Sequence, residues 1–76
     1  MRGVKNLYLE KLRRMTDEQL VDECAKMGKI MEKREPMKKE DKIRAYVAFK
    51  YTAGRPGIDE DNKRILLMGM KVLRIL

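Results

Sequence analysis

Apolar residues recur at steps of three and four along most of the chain, the spacing of a helix face, and nowhere alternate over the length of a strand. The cleanest stripe is Leu20, Cys24, Met27 and Met31, at steps of four, three and four, with Val21 and Ile30 beside it. Three breaks punctuate the pattern: Met15-Thr16, Glu35-Pro36 and Gly54-Arg55-Pro56-Gly57. At the first, Thr16 and Gln19 have the spacing of a capping box, and Asp17 and Glu18 fall where the positive end of a helix dipole favours acids. After the third, Asp59 is a fair N-cap with Glu60 and Asp61 in the turn that follows. The pattern predicts an all-α fold, a small bundle of four short helices at about 4–14, 17–34, 38–53 and 60–75, in a single domain over residues 1–76.

The fourth segment does not fit one face. Ile65, Leu66, Met68, Met70, Val72, Leu73, Ile75 and Leu76 wrap roughly 220° of a helix. Lys63, Arg64, Lys71 and Arg74 mark its wet side, with Leu67 among them. A helix this apolar needs to be nearly surrounded, and a chain of this size buries only about 60% of its unfolded surface. A homodimer is therefore expected, through Leu66, Met68, Met70, Val72, Leu73 and Ile75, with Gly69 letting another helix approach. The alternative is a central helix buried within one chain.

In the third segment Ile43, Val47 and Tyr51 line up at spacing four as the expected core face. Beside them Lys39, Lys42, Tyr46, Phe49 and Lys50 lie within about 100° of one another. Lysines pair with phosphates, and an aromatic ring stacks on an unpaired base. Arg55 follows in the Gly/Pro loop. In the first segment Val4, Tyr8, Leu12 and Met15 share a face, leaving Arg13 and Arg14 outward. There they complement the helix dipole or clamp a phosphate beside the third helix. Because the chain has only three Tyr and one Phe, the alternative is that Tyr46 and Phe49 face another helix.

Charge sharpens this picture. Lys and Arg outnumber Asp and Glu by 19 to 12, for a net +7. The excess sits in residues 1–14, with five basic groups and one acid, and in residues 36–57, with six and two. Such a surface favours polyanionic or acidic partners. At 43% hydrophobic and 41% charged, the chain is too apolar for a disordered tail and too charged for a membrane protein. The longest uninterrupted apolar run is Ile65-Leu66-Leu67-Met68, so no membrane span is expected. Neither a signal peptide nor an extracellular setting is expected from this opening, and an intracellular, cytoplasmic one is.

Neither His nor Ser occurs, which removes Ser-His-Asp and Cys-His catalysis and His-ligated metals. Cys24 is alone, so it can neither close an intrachain disulfide nor build a zinc site, and its place on the apolar stripe makes it an inert buried thiol. Asp17, Glu18, Asp22 and Glu23, and then Asp59, Glu60 and Asp61, cluster at helix starts, where capping and the dipole account for them. No enzyme, cofactor or metal is expected.

Gly54-Arg55-Pro56 resembles the core of an AT-hook, but Ala53 stands where the hook has a second Arg. Tyr8-Leu9-Glu10-Lys11-Leu12-Arg13-Arg14 resembles the start of the Hha/YmoA nucleoid-modulating proteins over seven residues. The charge pattern and the Pro/Gly loops beyond it follow a different course, and the likeness assigns no role to any residue. The expected function is that of a small basic, non-catalytic accessory or regulatory protein. It associates with DNA or RNA through Lys39, Lys42, Lys50, Arg55, Arg13 and Arg14, with Tyr46 or Phe49 as a stacking ring. The competing expectation rests on the seven methionines, four of them (Met27, Met31, Met68 and Met70) on helix faces. It is an adaptor or inhibitor that docks on a larger protein through a Met-rich face.

Overall fold

Thr16 Oγ1 accepts the Gln19 amide at 3.2 Å, and Gln19 Oε1 accepts the Thr16 amide at 2.9 Å. This reciprocal cap starts the second helix where the sequence places it. In the computed structural model, which describes residues 3–33 and 36–75, four helices follow in order: α1 (Val4–Arg13), α2 (Asp17–Glu32), α3 (Lys39–Ala53) and α4 (Glu60–Ile75). The described residues contain no strand. Asp59 caps α4, its Oδ1 accepting the Asn62 amide at 3.0 Å. Helix bounds match the predicted ones to within a residue except at the end of α2. There Lys33 already has extended backbone, and the expected end at 34 lies outside the described residues.

α3 is the central element. It packs against α1, α2 and α4, whereas α2 and α4 touch only lightly. Ala45, Ala48 and Thr52 are fully buried along it. Their small side chains let neighbouring helices close in on more than one side, and close packing is what the interior requires. Cys24 reaches across from α2, with Thr52 Oγ1 at 3.3 Å and the Ala48 carbonyl at 3.5 Å as acceptors for its thiol. The thiol is buried and free. Leu12 of α1 and Leu20 of α2 are completely buried beside it.

Two expectations about the core are corrected. The buried face of α3 is not centred on Ile43, Val47 and Tyr51. Val47 is buried, but the other two are only partly so, and the face turns toward Ala45, Ala48, Phe49 and Thr52. α4 is not the surrounded helix. Its inner residues Leu66 and Leu73 are buried and Met70 packs beside them, so three of the six residues assigned to a dimer interface fill the chain's own interior. Gly69 serves the same interior contact: a Cβ there would stand 2.8 Å from Phe49 Cε2. A run of Ala and Thr makes a weak hydrophobic stripe, so the position of α3 could not be read from apolarity.

Candidate functional site

α1, α3 and the last turn of α4 enclose a groove on one side of the molecule. It consists of two adjoining recesses that share Lys5, Tyr46 and Val47. The first, about 530 Å³, lies between α1 and the C-terminal half of α3, and Lys50, Tyr51 and Arg55 line it with Leu9. The second, about 330 Å³, continues toward α4 and adds Lys42, Ile43, Leu73 and Arg74. Among the described residues, no carboxylate lines either recess. Lys42, Tyr46 and Lys50 follow at steps of four, which puts the half-buried ring between two cations about 6 Å away along the helix on either side.

The acids of α3 are held elsewhere. Arg44 lies 3.4 Å from Asp41 and 3.9 Å from Glu40, and it lines a different recess together with Tyr8 and Glu23. Residues 44 and 46 are about 200° apart on a helix, so these carboxylates are drawn away from the Lys42–Tyr46–Lys50 stripe. Lys11 behaves likewise. Its Nζ is 3.4 Å from the buried Glu23 carboxylate and 5.8 Å from the Tyr8 ring centroid, outside the groove. The Tyr8 hydroxyl is buried with no hydrogen-bond partner.

The residues singled out from sequence separate into groups. Lys42, Tyr46 and Lys50 share the groove. Lys39 is exposed one turn before Lys42 but lines neither recess. Arg13 and Arg14 are exposed at the end of α1 and also lie outside it. Phe49 is corrected: at 4% exposure it is a core residue against Gly69 and cannot stack on a ligand. Arg55 is corrected in part. Its Nε donates to Asp17 Oδ1 at 3.0 Å, and this hydrogen bond, with the charge of Asp17, pushes its pKa further up. It remains a cation, but one whose field a carboxylate already offsets.

Lys5 and Arg74 complete the groove and were not assigned to it from sequence. Lys5 was visible as part of the basic first segment, and Arg74 as part of the wet side of the fourth. Only packing brings them beside Tyr46. Among the described residues no three acidic or thiol groups converge as a metal site would need, and no helix is long and apolar enough to cross a membrane. No protein-family model matches the chain, and no curated protein or solved structure matches it.

Proposed function

We propose that this chain is a small non-catalytic accessory or regulatory protein that associates with nucleic acid, mainly through phosphates, along the groove between α1, α3 and the end of α4. The observation that carries this reading is the lining itself. Lys5, Lys42, Lys50 and Arg74 come from three helices, face one continuous recess and flank a half-buried tyrosine. Cations gathered over an apolar floor focus a positive potential there. An aromatic ring among them offers a stacking surface for a base or a sugar. The free thiol kept in the core suits a reducing, cytoplasmic setting.

The test is fluorescence anisotropy with labelled duplex and single-stranded oligonucleotides, titrated at several salt concentrations. Four phosphate contacts release counterions, so log K against log salt should fall with a slope of roughly −4 on duplex and about −3 on single strands. Replacing Lys5, Lys42 and Lys50 together by Gln should flatten the duplex slope by about two to three units. No binding to DNA or RNA at low salt would rule the proposal out.

A further inference from the structure

α4 has two apolar faces. The inner one, built on Leu66, Gly69, Met70 and Leu73, meets α3. On the far side Ile65, Met68, Val72 and Ile75 follow at steps of three, four and three, and expose 63%, 66%, 44% and 85% of their surface. Over about one and a half heptads this is the spacing of the a and d positions of a coiled coil, with β-branched Ile65 and Val72 at equivalent positions one heptad apart. The apolar surface continues past the helix. Ile65 also borders a groove of about 440 Å³ between α2 and α4, with Val21, Ala25, Gly28 and Gly69 along it. Contiguous apolar surface of this extent marks an interaction site on a soluble chain.

The occupant is indicated by the seam's own symmetry. Steps of three, four and three read the same in both directions. A second copy laid antiparallel therefore sets apolar on apolar throughout, Ile65 against the partner's Ile75 and Met68 against the partner's Val72. In that register Arg64 of each copy stands at the C-terminal end of the other copy's helix, where the dipole favours a cation. The four side chains bring together about 500 Å² of apolar surface from the two copies. The walls of the α2–α4 groove and the stems of Arg64 and Lys71 extend it toward the 1,200 Å² or so at which specific interfaces begin.

We propose that the outer face of α4 is a homodimer interface, in which two copies pair antiparallel about a two-fold axis near residue 70. The pairing is isologous, so each patch meets itself. It does not depend on nucleic-acid binding, and salt separates the two. Lys71 of each copy lies close to the axis beside the partner's Lys71. This contact and the net +7 of each copy are relieved by screening, which outweighs the screening of Arg64 at the helix end, so added salt strengthens the dimer while it weakens phosphate binding.

Sedimentation equilibrium from micromolar to millimolar chain, at low and high salt, should give a particle of twice the 9.0 kDa chain mass, formed more tightly at high salt. Met68→Glu should raise the dissociation constant roughly tenfold or more with an unchanged circular dichroism spectrum, since Met68 is outside the core. On a Cys24→Ala background, Ile65→Cys mixed with Ile75→Cys should cross-link to each other on oxidation. A 9.0 kDa particle at every concentration would overturn the proposal. So would cross-links of each variant only with itself, or a dimer that weakens with salt as an oppositely charged partner would.

Discussion

The guanidinium of Arg55 donates from Nε to Asp17 Oδ1 at 3.0 Å, joining the loop after α3 to the first turn of α2 across 38 positions of chain. Gly57 backs the same carboxylate so closely that a Cβ on it would run into Asp17, and Ile58 next to it is buried. An ion pair and an apolar plug thus hold the loop from two sides. The arrangement explains why Arg55, which lies in a Gly/Pro segment that reads as an open phosphate-binding loop, is turned toward the protein.

Gly57 has no positive φ, so Gly57→Ala should cost little backbone strain and act instead by displacing Asp17 from Arg55. Both partners of the pair are partly exposed, so solvent screening keeps their interaction weak. Gly57→Ala and Arg55→Gln should each destabilise slightly and to a similar extent. The double variant should lose no more than the larger single loss, because both changes break one interaction. Urea denaturation of the four proteins measures this. Additive losses would show that Gly57 has a separate role.

Stability should fall in alkali. Burial, then the negative charge of Glu23, pushes the Tyr8 hydroxyl above its ordinary pKa of 10.0, and burial pushes the Cys24 thiol above its ordinary 9.0. The unfolded chain loses these protons at the ordinary values while the folded chain still holds them. The folded state then binds more protons, and stability decreases as pH rises. The contribution is complete below about pH 9 and is lost progressively above it. Melting temperatures taken across this range should decline. Tyr8→Phe should flatten the part of the decline above about pH 10, and it removes a buried hydroxyl that has no hydrogen-bond partner. A melting temperature that is level in alkali would contradict the burial of both groups.

Local signals were legible in the sequence wherever one helix contains the whole cause. The Thr16–Gln19 box, the Asp59 cap, the four helices and the burial of Cys24 all depend on residues within a turn or two. What depends on packing between helices was not legible. Phe49 is on the flank of the lysine stripe by angle, but the small residues Ala45, Ala48 and Thr52 rotate the buried face of α3 toward it. The apolar arc of α4 was legible as wide, but not which part of it is buried. The division into an inner half on α3 and an exposed outer half appears only once the position of Phe49 is known. The groove escaped for the same reason: Lys5, Tyr46 and Arg74 belong to three helices, and no spacing relates them.

The α3–α4 contact is sensitive to a single methyl group. Gly69→Ala places a Cβ 2.8 Å from Cε2 and 3.1 Å from Cδ2 of Phe49. The ring is buried, so either it must turn toward the α2–α4 groove that it lines or the helices must spread, at a cost of about 1–3 kcal/mol. Phe49→Leu in the Gly69→Ala background should recover part of that loss, whereas Phe49→Leu alone should destabilise. Thermal denaturation of the three variants distinguishes this from a loss caused by helix propensity, since alanine in place of glycine within a helix would otherwise stabilise by about 1 kcal/mol.

Tyr46 decides how the groove would hold a nucleic acid. Its ring sits between Lys42 and Lys50 and borders both recesses, so it is available to a ligand from either end. Tyr46→Phe keeps the ring and should leave binding nearly unchanged. Tyr46→Ala removes it. If the ring stacks on unpaired bases, binding to single strands should weaken by about 1–3 kcal/mol more than binding to duplex, with no change in salt slope, because no phosphate contact is lost. Lys50→Gln should do the reverse, weakening both forms and flattening the slope by about one unit. Circular dichroism must show the same helix content in all three variants, since the half-buried ring also packs beside the buried Val47. Equal losses on single strands and duplex for Tyr46→Ala, with the fold intact, would make the ring part of the groove's wall and leave the cations as its only contacts.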